Sequence, residues 1–313
     1  MSPTRKKVIF DTDPGIDDAM ALLYLNACPD LDLLGITTIL GNASIDQCTM
    51  NALFLKEKFK INAPIYRGAS AGFNGETPID YPDFVHGKDG LGDVVNIRTH
   101  GQVERQVAAD FLIDAVNQAP GEVTIIAVGR LTNIALAITG STSFATDVKN
   151  IVLMGGAYQC EGNVTPFAEA NIIGDPEAAN IVFTSQIPTT MVGLDVTQQT
   201  MMSQHYLQTL GGQLGPIGEF IIDINRVYAS FYEQAHGWES FPVHDSSAVA
   251  YVDQPEMFTA LTGRLNCVLT GEERGRTVFK PDNAANHQVC INVESEKMLA
   301  RYQQIVTSHY PPS

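Results

Sequence analysis

Short apolar runs and amphipathic stretches take turns through most of this chain, and that alternation leaves few folds open. "KVIF" is followed by "DDAMALLYLNA", "LDLLGITTIL" by "SIDQCTMNALFLKEKF", and "APIYRGA" by the later stretch "ERQVAADFLIDAVNQA". Then come "EVTIIAV", "LTNIALAIT", "NIVLMGG", "DPEAANIVFTS" and "TTMVGLDV". Strands that are apolar at successive positions are buried on both faces, and helices between them supply the crossovers of a parallel sheet. The expected fold is α/β, a single domain over 1–313 on an open, mostly parallel, Rossmann-like sheet with helices on both faces. The segment 203–256 reads mainly helical, giving a helical C-terminal region, and "HQVCINV" offers one late strand. No Pro/Gly/Ser linker, repeat or low-complexity segment interrupts the pattern.

Ligands of such sheets bind beyond the carboxyl ends of the strands, so the polar residues at those ends are the first candidates. Asp11 and Asp13 follow the first strand and Gly41-Asn42 the second; "VGRLTN" follows "TIIA", "GGAYQCEGN" follows "IVLM", and Asp195 follows "MVGL". The first of these ends is the most unusual. "DTDPGIDD" packs four aspartates, Asp11, Asp13, Asp17 and Asp18, into eight positions. Two carboxylates about 4 Å apart repel by roughly 4 kcal/mol at the effective dielectric of a protein surface. Strand alternation puts Asp11 and Asp13 on one side, Pro14-Gly15 turns the chain, and Asp17-Asp18 open a helix whose positive end suits them. A helix cap with solvated neighbours accounts for one or two of the four; a hard divalent cation accounts for the cluster. Oxygen-only donors favour calcium, magnesium or manganese over zinc.

Composition narrows the partners. A formal charge of −16 opposes nucleic acid and anionic membrane surfaces, and fits a metal or a small neutral or cationic ligand. No apolar run approaches the ~20 residues of a membrane span. The start, "MSPTRKKVIFDTD", lacks the apolar stretch of a signal peptide. Five widely spaced cysteines without a CxxC read as free thiols of a reducing, cytoplasmic compartment.

Two further segments carry chemistry. In "EGNVTPFAEAN", Asn163, Glu169 and Asn171 offer amides and a carboxylate to vicinal hydroxyls, as a sugar needs; a polar loop with a helix cap at Asp175 is the alternative. In "FPVHDSSAVAYV", His244 stands beside Asp245, a neighbour expected to raise its pKa toward the range of a proton donor, with Asp245 as a plain helix cap the alternative. His86, in the Gly-rich "VHGKDGLG", is placed on a flap. His100, His205, His236, His287 and His309 read as surface or packing histidines.

Together these residues resemble the inosine-uridine preferring nucleoside hydrolases, through essentially the whole chain. "DTDPGIDDA" is similar to that family's N-terminal signature, and "GITTILGN", "LTNIA", "VLMGGAY", "EGN", "AEAN", "DPEAA", "MVGLD" and "PVHD" follow in the family's order. The resemblance implies hydrolysis of the N-glycosidic bond of ribonucleosides with a calcium ion deep in the pocket. By that analogy Asp13, Asp18, Asp245 and the main-chain carbonyl of Val128 hold calcium, and Asp13 is the general base toward water. Asp17, Asn42, Asn163, Glu169 and Asn171 clamp ribose, and His244 donates a proton to the departing base. Tyr228 and Tyr232, with His86, face the base, where aromatic residues resemble members with broad purine and pyrimidine use. The expected assembly is a homodimer or homotetramer. Two departures stand out: the loop before Asn163 is one residue longer, and Ala170 replaces an aromatic.

Two other readings compete. A haloacid-dehalogenase-type magnesium phosphohydrolase also places DxD after its first strand, but wants a later lysine and has no use for "PVHD". A calcium-dependent nucleoside or ribose binder would keep the clamp without a base or acid.

Overall fold

The computed structural model describes residues 5–94 and 96–312, so the Met1–Thr4 part of the leader reading lies outside it. The first half of the chain winds β1 (Lys6–Thr12), α1 (Ile16–Ala27), β2 (Leu31–Thr38), α2 (Ile45–Lys58) and β3 (Ile65–Arg67). A short helix α3 (Asp83–His86) and helix α4 (Ala108–Gln118) lead to β4 (Thr124–Ala127). Next come α5 (Thr132–Gly140), α6 (Phe144–Asp147), β5 (Asn150–Met154), α7 (Ala170–Gly174), α8 (Pro176–Thr184) and β6 (Thr189–Val192). These strands lie parallel in the order 3-2-1-4-5-6, the doubly wound arrangement whose direction reverses between β1 and β4. Val8, Ile9 and Phe10 of β1 and every residue of β4 are buried, as the unbroken apolar runs require.

The second half adds α9 (Leu194–Thr197), β7 (Met201–Ser203), α10 (Gln204–Gly212), α11 (Pro216–His236), β8 (Ser240–Pro242) and α12 (Asp245–Asp253). It then returns to the sheet through β9 (Phe258–Cys267), β10 (Thr277–Pro281) and β11 (His287–Val293), and ends in α13 (Ser295–His309). Strand β11 joins β6 in parallel, while β9 and β10 extend the sheet antiparallel, making nine strands. Helix α1 carries buried residues along nearly its whole length because α11, α12 and α13 cover its outer side. Helix α11 stops at Gly237, whose left-handed φ of 70° closes the last turn.

The segment after 256 differs from the sequence expectation of a single late strand. Strand β9 is buried at alternating positions in its second half, with Arg264 and Asn266 facing out. It is half-solvated, so it lacks the unbroken apolar run of a central strand. Residues 104–107 also stay outside α4, which starts at Ala108. No helix among the described residues is long and apolar enough to cross a membrane.

Candidate active site

A cavity of about 230 Å³ opens at the carboxyl ends of the parallel strands, beside the β1–β4 switch point. The turn after β1 delivers Asp13, the first turn of α1 delivers Asp17 and Asp18, and the first residue of α12, packed beside α1, delivers Asp245. Carboxylate oxygens of Asp17, Asp18 and Asp245 lie within 4.8 Å of one another. Asp13 adjoins this trio rather than belonging to it. Its Oδ2 accepts from the Asn42 backbone N–H at 2.8 Å, while its Oδ1 is buried without a partner, as is Asp17 Oδ1. Asp18 is held by Thr12 Oγ1, by the Gly15 N–H at 2.8 Å and by Asn42 Nδ2 at 3.0 Å. Asp245 is the first residue of α12, whose cap residue His244 makes no side-chain capping bond.

The chain packs tightly around this charge. A Cβ on Gly41 would stand 1.9 Å from Asp13 Oδ2, and one on Gly129 would stand 2.5 Å from Asp13 Oδ1. Burial drives the Asp13 and Asp245 carboxyls well above the carboxylate range, helped at Asp13 first by Asp18 and at Asp245 first by Asp17. Asp17 and Asp18 rise to about 6, again from burial first. Asp11, which faces away to accept from Thr37 at 2.5 Å and Asn133 at 2.7 Å, rises to about 7 because it is buried. None of the lysines lines the pocket among the described residues. Orphaned buried oxygens, crowded like charges and all-oxygen donors fit a hard divalent cation.

One prediction follows from these shifts. Groups whose folded pKa is raised stabilise the fold below the ordinary carboxylate range and lose that contribution as pH climbs through 6 to 7. In chelator, the melting temperature should therefore fall between pH 4.5 and pH 8, and saturating divalent cation should abolish the fall. A chelated protein equally stable across that range would contradict the charge cluster.

The other predicted residues converge on the same cavity, several in unexpected attitudes. Glu169 caps α7, with Oε1 accepting from the Asn171 N–H and Oε2 from the N–H groups of Gly156 and Ile172. Asn171 Nδ2 donates to the Val128 carbonyl at 2.8 Å and to Met154 O at 3.1 Å, so it orients the carbonyl assigned to the cation. Asn163 lines the pocket, its Oδ1 accepting from Ala170 N. Asn42 also lines it, but its amide is spent on Asp13 O and Asp18. His86, buried in α3, accepts from Ile16 N at 3.3 Å and stays neutral, with burial lowering its pKa to about 4. Asp175 caps α8, its side chain accepting from the Ala178 N–H. Asp195 turns away from the cavity to accept from the Tyr158 and Gln159 N–H groups.

His244 needs a correction. Its neighbour was expected to raise its pKa, yet burial, with His86 second, lowers it to about 3. The ring is therefore neutral near pH 7. His236, expected as a surface or packing histidine, is exposed and packs at the rim of the cavity. It stacks 5.8 Å from Tyr232 and 4.5 Å from Trp238, and all three line the cavity with Phe84 and Phe231. The helical spacing Tyr228, Tyr232, His236 was the signal available in the sequence. Nothing in the sequence pointed to Trp238.

A doubly wound sheet with carboxylates placed for a cation and polar side chains at its switch point is the frame of a small-molecule site. The family model described as inosine-uridine preferring nucleoside hydrolase matches residues 8–300. Uridine nucleosidase 1 of Arabidopsis thaliana is 43% identical over 275 residues, covering 88% of this chain and 82% of that protein. The pyrimidine-specific ribonucleoside hydrolase RihB of Escherichia coli is 37% identical over 315 residues, covering 97% of this chain and 98% of that one. Among solved structures, a plant nucleoside hydrolase superposes with a TM-score of 0.92 at 36% identity, covering 97% of this chain and 99% of its own. The purine-preferring ribonucleoside hydrolase of Gardnerella vaginalis gives 0.94 at 32%, with the same coverage. The chain belongs to the inosine-uridine preferring nucleoside hydrolase family and is an N-glycosyl hydrolase of ribonucleosides. The phosphohydrolase and non-catalytic readings are set aside.

Proposed function

We propose that this enzyme is a calcium-dependent hydrolase of uridine, cytidine and inosine, releasing ribose and the free base. The observation that carries the reading is the group of crowded, buried carboxylates at the switch point, with Asp13 Oδ1 and Asp17 Oδ1 left without a hydrogen-bond partner. Asp13, Asp18, Asp245 and the Val128 carbonyl would hold calcium. Bound there, it supplies positive charge that acidifies the attacking water and orients the ribose 2′- and 3′-hydroxyls. Asp13, whose buried Oδ1 has no partner, takes the proton from that water. Asp17, Asn42, Asn163, Glu169 and Asn171 surround the sugar, and their oxygens stabilise the oxocarbenium-like charge that grows as the base leaves. His244 acts on the base side with Tyr228, Tyr232 and His86, where aromatic faces accept purines and pyrimidines alike. Five unpaired cysteines support a reducing cytoplasm, and a homodimer or homotetramer is the proposed assembly.

Ribose release from uridine, cytidine, inosine and adenosine, measured with calcium and with chelator, tests the reading. Hydrolysis of the first three, lost in chelator and restored by calcium, is expected. No release from any of them with calcium present would overturn it.

A further inference from the structure

Behind the base side of the cavity runs a row of hydrogen bonds that none of these roles explains. Thr197 Oγ1, fully buried at the end of α9, lies 2.8 Å from Nδ1 of His244. Nε2 of that ring is 2.9 Å from the Tyr232 hydroxyl, which stands 3.5 Å from the Tyr228 hydroxyl, and Tyr228 reaches Asp17 Oδ2 at 3.3 Å.

The direction of the row follows from its two ends. The Tyr228 hydroxyl is the donor to Asp17 Oδ2. The Tyr228 oxygen then receives the Tyr232 proton, and the Tyr232 oxygen receives one from Nε2. At the other end, Thr197 Oγ1 has Nδ1 as its one side-chain hydrogen-bond partner among the described residues. A buried hydroxyl proton needs an acceptor, so Thr197 donates to Nδ1. Both ends call for the same ring, a neutral imidazole carrying its proton on Nε2.

We propose that Thr197 is a positioning residue that holds His244 as the Nε2–H tautomer, making it an oriented hydrogen-bond donor to the departing base. The inference rests on the nucleoside hydrolase reading above. A neutral histidine donates only from the nitrogen that carries its proton, and the wrong tautomer would present a lone pair to the base. On arrival the base takes the Nε2–H in place of the Tyr232 oxygen. The proton stays on the ring throughout, so the base departs as a hydrogen-bonded anion and takes its proton from water afterwards, while Asp13 holds the proton lost by the attacking water. Valine at 197 keeps the branched shape and removes only the hydroxyl.

The test pairs Thr197→Val with Thr197→Ser. In protein labelled with 15N-histidine, with the His244 signals assigned by their loss in His244→Ala, the wild type should show Nε2 protonated and Nδ1 bare. Thr197→Val should give a mixture and Thr197→Ser should restore the single form. Loss of an aligned donor in a water-poor site should lower kcat on uridine by about 10- to 100-fold. KM should stay within about twofold and the rate on p-nitrophenyl riboside, whose leaving group is a stable anion, should hold. A wild-type ring protonated on Nδ1, or an unchanged tautomer and uridine rate in Thr197→Val, would overturn the proposal. Equal losses on both substrates would do the same, assigning Thr197 a structural part. Failure of the wild type to hydrolyse any ribonucleoside would instead count against the functional reading, while the tautomer result stands apart from activity.

Discussion

Asp13→Ala is expected to remove turnover almost entirely while leaving the protein folded. The side chain follows β1 directly, with one oxygen fixed by the Asn42 N–H and the other buried without a partner. Its loss deletes both a general base, worth about 10²–10⁴-fold, and a carboxylate of the cation cluster, so a fall of at least about 10⁴-fold in kcat/KM is expected. Stability should move the other way. In chelator the variant sheds a buried like charge whose ionised form is opposed by burial and by Asp18, so its melting temperature should equal or exceed that of the wild type. Calorimetric titration with calcium alongside ribose release checks both halves. A variant that keeps a tenth of the activity and binds calcium normally would remove Asp13 from the mechanism.

His244→Ala should cost about 10²–10³-fold in kcat on uridine, the range for removing one preorganised donor to developing charge. Because burial leaves the ring neutral above about pH 3, its contribution should be flat between pH 5 and pH 9. A general acid supplied by an imidazolium would instead fade as pH rose through its pKa. p-Nitrophenyl riboside should be hydrolysed at close to the wild-type rate. The ratio of variant to wild-type rate on uridine across pH is the decisive measurement. A ratio that recovers toward one as pH rises would restore the imidazolium assignment.

The sheet was legible where its strands are buried on both faces. Val8–Phe10, Ile125–Ala127 and Ile151–Met154 announce themselves as unbroken apolar runs, and the helices between them have room for nothing but parallel crossovers. The β9–β10 hairpin was not legible, because an antiparallel edge pattern with Arg264 and Asn266 outward looks like any polar segment. Of the site, "DTDPGIDD" disclosed its charge because adjacent carboxylates must be neutralised wherever they are. The sign of the His244 shift was hidden, since a sequence shows the neighbour at 245 but not the burial that outweighs it. The same limit applies to Trp238, which meets His236 and Tyr232 only because Gly237 reverses the chain between them.

The place of β11 in the sheet bears on how the protein is made. Strand β6 is finished at Val192, yet the strand that covers its open edge begins at His287, with all of residues 193–286 in between. During synthesis the edge of an apolar, parallel core therefore stands unpaired while the whole excursion is translated, and closing it is a long-range event of the slow kind. The contact itself is short, Gln288 beside Thr190 and Val289 beside Met191. Asp245 travels within that excursion, so the cation cluster and the last parallel pairing depend on the same late segment. A nascent chain halted before residue 287 would carry a sticky sheet edge, and chaperone binding or aggregation should concentrate there.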